Sequence, residues 1–153
     1  MSTLFDLRQA LANSIVAANI GWTSDIIVLK RQSDLWNDLV TAIATSKIGA
    51  CLHIGVASGK ADPDSTDIDF DLTISLTIVI DPSPAPDVTP EEDLWELLVK
   101  HVHNLYLDAY DAFQFRFRID SFDDIEITSP DNSSSSLGRQ TIFKVRLIIP
   151  ASP

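Results

Sequence analysis

Cysteine is almost missing from this 153-residue chain. Cys51 is the only one, so no internal disulfide can form, which fits a reducing compartment. No apolar run approaches the roughly 20 residues of a membrane span, and MSTLFDLRQALA has no basic stretch before an apolar core, so neither a membrane segment nor a signal peptide is expected. Five scattered glycines are too few to cradle a phosphate, and there is no GxGxxG, P-loop or GxSxG. Positive charge is scarce: 11 Lys and Arg stand against 22 Asp and Glu, a formal net charge of −11. That argues against a domain that grips nucleic acid or an anionic membrane. It suits a basic partner, or a passage through which DNA slides without sticking, and solubility alone would account for it equally well.

Histidine is also scarce. His101 and His103 are two apart in a helical stretch and point opposite ways, whereas a metal pair on a helix needs i,i+4 spacing. His101 reads as a histidine satisfied at the edge of the core. Cys51 and His53 share one face of a strand, but the pleat holds an i,i+2 pair apart, and a buried structural thiol is the simpler reading. No catalytic residue, metal or cofactor is expected.

What the chain has is periodicity. In DIDFDLTISLTIVID, residues 67–81, Ile68, Phe70, Leu72, Ile74, Leu76, Ile78 and Ile80 fill every even position. Asp67, Asp69, Asp71, Thr73, Ser75 and Thr77 fill odd ones. Strands turn successive side chains to opposite faces, so this predicts one long strand with an apolar face, the spine of the core. A one-residue slip would turn that whole set to water.

Around it, Leu4, Leu7, Leu11 and Ile15 predict a helix over 4–19, with Thr3 and Asp6 as a weak cap. A short strand is expected at 25–31. A second helix follows over 34–46, capped by Ser33, with Leu35, Leu39, Val40 and Ile43 as its stripe and Trp36 at the stripe's edge. A strand is expected at 49–58 and a polar turn at 59–66. Pro82, Pro84 and Pro86 predict an extended connection. Thr89, Pro90, Glu91 and Glu92 start a helix to about 107 that buries Leu94, Leu97, Leu98, His101, Val102 and Leu105. Phe113, Phe115, Phe117 and Ile119 alternate with polar residues as a strand, and a ragged extension follows over 121–128. SPDNSSSSLG, 129–138, reads as a mobile loop. Thr141, Phe143, Val145, Leu147 and Ile149 close the chain as a strand. With length favouring one domain, this gives an α+β fold: a largely antiparallel or mixed sheet with helices packed on one face.

The layout resembles the tail-terminator (tail-completion) proteins of tailed bacteriophages. The resemblance rests on the opening helix over 4–19, the long alternating strand over 70–80 and the proline-containing connection over 81–90. It continues through the helix EEDLWELLVKHVHNL and the closing strand GRQTIFKVRLIIPASP, covering most of residues 1–150. The helix over 33–46 is a departure, which keeps another head–tail joining protein of the neck as the alternative. The resemblance implies a virion structural protein, not an enzyme. It implies a homo-oligomeric ring, usually a hexamer, assembled in the host cytoplasm at the head-proximal end of the tail tube. That ring ends tube polymerisation and joins the tail to the head connector. Its implied partners are the tail tube protein, the connector and neck proteins, and a sheath protein where the tail is contractile. Genomic DNA passes without specific binding, and no membrane is involved. Outside this class stand a small cytoplasmic enzyme, marked by a polar pocket near Cys51 and His53, and a monomeric adaptor, marked by one apolar groove.

A flat row of Asp67, Asp69 and Asp71 cannot wrap a calcium ion by itself. Members about 7 Å apart repel by only about 0.6 kcal/mol per pair in water, and Arg116, Arg118, Lys144 and Arg146 on neighbouring strands are candidate partners. Within one chain this is an ordinary mixed-charge sheet face; across a subunit boundary, or facing the lumen, it is an assembly contact. The candidate interface loops carry Lys60, Asp62 and Asp64, then Pro84 and Asp87, then Asp131 and Ser134. In the intersubunit version, Arg116→Glu weakens assembly more than the fold, as read by mass in solution and by denaturant unfolding. A variant that still forms the native oligomer rejects that version.

Overall fold

The computed structural model describes residues 3–29, 35–64, 66, 68–80, 91–107 and 116–149. The elements run α1 (Thr3–Ala17), a 3₁₀ turn (Ser24–Ile26), β1 (Ile27–Val28), α2 (Leu35–Thr45), β2 (Ala50–Ala61), β3 (Ile68–Ile80), α3 (Glu91–Val102), β4 (Arg118–Thr128) and β5 (Ser135–Ile149). Among the described residues the five strands form one mixed sheet in the order β1-β2-β3-β5-β4. All neighbours are antiparallel except β1 and β2. This is the expected α+β class.

β3 is the spine. It pairs with β2 on one side, from Phe70↔Ala61 to Ile80↔Ala50, and with β5 on the other, from Ile68↔Ile149 to Val79↔Gly138. Leu72, Ile74, Leu76 and Ile78 are sealed on its even-numbered face beside Leu52, Ile54, Phe143 and Val145. Leu7, Leu11 and Ile15 of α1 and Leu94, Leu98 and Val102 of α3 join the same core. α3 lies over this face: Trp95 Nε1 donates to Thr141 Oγ1 at 2.8 Å, and Thr141 is the cross-strand partner of Leu76. Phe122 tilts against Trp95 at 4.7 Å, and the Arg139 guanidinium sits 5.3 Å over the same ring. α1 is tied to α3 by Ser14 Oγ and His101 Nε2, 3.0 Å apart.

Several boundaries differ from expectation. α1 and α3 share one face, but α2 reaches the other at a corner. The Cys51 thiol, on the odd-numbered face, donates to the Leu39 carbonyl at 3.7 Å, and Val79 borders the cleft lined by Leu39 and Ile43. The reason is connectivity, since α2 is the crossover between the parallel strands β1 and β2. Val40 and Leu97, expected in the buried stripes, are 48% and 43% exposed. β2 runs on to Ala61, so Lys60 belongs to a strand rather than a loop. An irregularity between Val56 and Ser58 interrupts the alternation, while the length of β3 offers partners that keep the ladder going. α3 stops at Val102, and Asn104, at φ 67°, turns the chain. Asn104 N–H then donates to the Phe117 carbonyl and Phe117 N–H to the Leu105 carbonyl, at 2.7 and 3.0 Å, which leads the chain into β4.

The serine-rich stretch is a bonded turn followed by the start of β5. Asp131 Oδ1 accepts from Ser129 Oγ, Ser133 Oγ and Ser133 N–H at 2.6, 2.7 and 3.1 Å, and Ser129 N–H donates to the Ser134 carbonyl at 2.8 Å. These local bonds do what a loop of this composition was expected not to do. They also hold the Asp131 carboxyl down at about 2. The Thr89 and Pro90 helix start, the strand positions Phe113 and Phe115, the loop residues Pro84 and Asp87, and Asp67 lie outside the described residues.

Truncation at the centre of the spine tests this core. Leu76→Ala is expected to cost about 2–5 kcal/mol through lost burial and the cavity left behind, measured by urea unfolding; a change below about 0.5 kcal/mol, the range of ordinary surface substitutions, would remove β3 from its central role.

Candidate charged cleft on the sheet

Opposite the buried face, the odd-numbered side of β3 changes character along its length. Val79, Thr77 and Ser75 are buried at one end, whereas Asp71 is exposed at the other. The change coincides with two irregularities at one level of the sheet. β2 shifts register between Val56 and Ser58, and β4 between Ile119 and Ser121. Val56 pairs with Ile74, Ile74 with Phe143, and Phe143 with Ile119, so both bulges lie on one transverse line. A bulge bends its strand and adds twist. It also moves the charged face of β2 from odd to even numbers, which is how Lys60 comes to share a face with Cys51 and His53.

Beyond that line the register sets out two transverse rows. The first is Ser58, Thr73, Lys144 and Arg118; the second is Lys60, Asp71 and Arg146. With Arg116, these side chains line a concavity of about 600 Å³. It holds five of the chain's 11 Lys and Arg and one carboxylate, Asp71.

Of the expected carboxylate–cation pairs, one is formed inside the chain, Asp69 with Arg146, and Arg146 and Lys144 also meet carboxylates that were not expected, Asp62 and Asp120. Asp69, 2% exposed, takes the Arg146 guanidinium bidentately, with Arg146 Nε at 2.7 and 2.9 Å from its two oxygens and Nη2 also on Oδ2. That geometry binds by fixed direction as well as by charge. Asp62 Oδ2 lies 3.8 Å from the same guanidinium, and Asp62 N–H donates to the Asp69 carbonyl at 2.8 Å, fastening the β2–β3 turn to the pair. Asp64 N–H donates to Asp62 Oδ1 within that turn at 3.0 Å. The Arg146 hydrogen bond holds the Asp69 carboxyl below its usual range against a smaller desolvation effect, and Asp69 raises Arg146 in return. Lys144 Nζ is 3.6 Å from Asp120 Oδ1, an exposed pair of little energetic weight. Lys60, Arg116 and Arg118 make no ion pair with the described residues.

The other candidates are structural. Burial pushes the Cys51 thiol up to about 12, and seven residues of strand, roughly 23 Å, separate it from Ser58 at the cleft. His101 is lowered by desolvation, and His103 Nδ1 accepts from Ile119 N–H at 3.1 Å. No cluster of His, Cys, Asp or Glu suited to a metal ion occurs among the described residues.

One buried cation was not anticipated. Arg8, 7% exposed in α1, donates to the carbonyls of Leu29 and Ile54, the latter at 3.3 Å. These carbonyls come one residue after the last β1–β2 pair, Val28↔His53, so Arg8 satisfies backbone that β1 stops short of pairing. No helix among the described residues is long and apolar enough to cross a membrane.

The Asp69–Arg146 pair has a pH signature. An Asp that titrates below its unfolded value of about 3.9 contributes fully above that value, and the contribution disappears as pH falls through the folded one. Wild-type protein is therefore expected to lose more stability between pH 7 and pH 3 than Asp69→Asn, as measured by urea unfolding at both pH values. Equal losses would show that the pair does not govern acid sensitivity. No family model and no curated protein sequence matches the chain.

Proposed function

We propose that this chain is a non-enzymatic structural protein of a tailed bacteriophage that forms a closed ring at the head-proximal end of the tail tube. There it ends tube polymerisation and joins the tail to the head connector. The opening helix, the long alternating strand β3, the acidic helix α3 and the closing strand β5 support this reading, since the resemblance rests on them.

The observation that carries the reading is the pair of open sheet edges. β1 pairs with only Leu52 and His53, leaving the outer edge of β2 from Gly55 to Ala61 without a strand among the described residues. At the other side of the sheet, β4 pairs with β5 alone among the described residues. A single chain with two different free edges can make a head-to-tail contact, which gives a ring when the rotation closes. The edges also differ in charge. Lys60 lies on the first, while the second carries Arg118 and four carboxylates, Asp120, Asp123, Asp124 and Glu126, with Asp124 held by Arg139 at 2.8 Å. Charge on an edge suppresses random pairing and leaves a complementary edge as the favoured neighbour. The turns at Asp62 and Asp64 and at Asp131 and Ser134 sit at sheet ends, where a tube or connector subunit would meet the ring. A neck joining protein shares all of this support except the capacity to cap a tube.

Light scattering of the purified protein at several concentrations is the test. A hexamer, or a monomer that closes into a ring when tail tube protein is added, is the expected result. A monomer that ignores tube protein at every concentration overturns the reading; a ring that leaves tube length unrestricted points to the neck alternative.

A further inference from the structure

The charged cleft is concave, sits on strands and gathers five of the molecule's 11 Lys and Arg. Lys144 and Arg118 are direct cross-strand partners, and Arg146 follows Lys144 on the same side of β5. Like charges placed opposite each other destabilise a sheet. Asp120 at Lys144 and the Asp69 and Asp62 carboxylates at Arg146 offset part of that repulsion from the rim. They leave Arg116, Arg118 and Lys60 facing the same concavity, with Asp71 the one carboxylate among the described lining residues. The twin bulges give the concavity its shape, and bulges are over-represented beside functional sites.

We propose that this cleft binds a compact oligophosphate, a small ligand with two or three linked phosphate groups. Cross-strand neighbours here are about 5 Å apart and residues two along a strand about 7 Å, so the cations can engage several anionic groups on one ligand. Arginine forks match phosphate oxygens bidentately. The volume, about 600 Å³, falls in the range of small-molecule sites. A long polyanion is disfavoured, because it would feel the field of the whole −11 chain, whereas a ligand within about 8 Å of the cations feels mainly the cleft. An acidic peptide is disfavoured because it spreads its carboxylates along an extended backbone, about 7 Å apart on one face, whereas linked phosphates concentrate their charge within the cleft.

Calorimetric titration of the full chain with inorganic tripolyphosphate, at 50 and 200 mM salt, tests this. Saturable 1:1 binding that weakens with salt is expected. Arg118→Ala and Lys144→Ala should each reduce affinity by about tenfold or more (~1.4 kcal/mol), and Arg118→Lys, which keeps the charge but loses the fork, by less. Lys100→Ala on α3, whose side chain pairs with Glu96 away from the cleft, should change nothing. Circular dichroism checks each fold, and Arg116→Ala, before the start of β4, serves if Lys144→Ala does not fold. Absence of saturable binding at millimolar tripolyphosphate overturns the proposal. So does binding that the Arg118 and Lys144 variants leave intact, hexaglutamate binding as tight as tripolyphosphate, or duplex oligonucleotide binding in preference to both. None of these outcomes depends on the mass measurement that tests ring formation.

Discussion

Everything in this structure depends on burying the even-numbered face of β3. Leu72, Ile74, Leu76 and Ile78 are within a few per cent of complete burial, and strands pair along both sides of them. At roughly 1.5–3 kcal/mol for each buried side chain, the combined preference for this register is comparable with the net stability of a typical domain. Strand periodicity is two, so a slip of β3 by one residue would carry Asp69 and Asp71 toward the helices. The core therefore fixes where every charge on the opposite face must stand, including like charges that would not choose to be neighbours.

That opposite face is divided into regions by the same register. α2 covers the end near Cys51 and Val79, because the β1–β2 crossover delivers it there. Ser75 and Thr77 are buried in the middle, and Ser75 Oγ donates to the Gly55 carbonyl at 3.4 Å. Past the bulges the face opens to solvent and becomes charged. The Asp69–Arg146 pair lies at the far end of that region. A nearly sealed carboxylate tolerates its position only with a partner of good geometry, and the bidentate guanidinium supplies it. In turn the pair orients Arg146 and anchors the Asp62 turn, so a local electrostatic need stiffens the end of the β2–β3 hairpin.

How much of this was legible in the sequence follows from which interactions are local. The β3 alternation is a period-two signal over 13 residues; the strand is where it puts it and Leu72, Ile74, Leu76 and Ile78 are buried, while Ile68 at the strand's start is 44% exposed. The glutamate-rich start of α3 at Glu91 was equally readable. Residues 56–61 were harder, since a bulge erases the alternation just where β2 continues. The Ser129–Ser134 turn was hidden by low complexity, which reads as disorder until Asp131 is seen to collect three serine donors. The cleft was half legible. Arg116, Arg118, Lys144, Arg146 and the aspartates were recognisable as charges on polar strand faces. Which of them meet depends on the order β3-β5-β4 and on both bulges, and no local pattern encodes these. Arg8 left no signal at all, because a lone arginine on an apolar helix stripe looks solvated. Its partners exist only because β1 ends after two residues.

The concentration of cations in an acidic protein also bears on how its surfaces communicate. The cleft reaches from β2, which contributes Lys60, to β4, which contributes Arg118, the two strands whose outer edges are open among the described residues. A neighbour added to either edge would extend the cleft's floor and bring its own charges within a Debye length of these residues, about 8 Å at physiological ionic strength. An acidic β4 edge arriving beside Lys60 would lower the positive potential of the cleft, and an anion already in the cleft would weaken the attraction between those edges. Were edge pairing and anion binding both to take place on this sheet, they would be coupled through one electrostatic field, and by linkage equally in both directions.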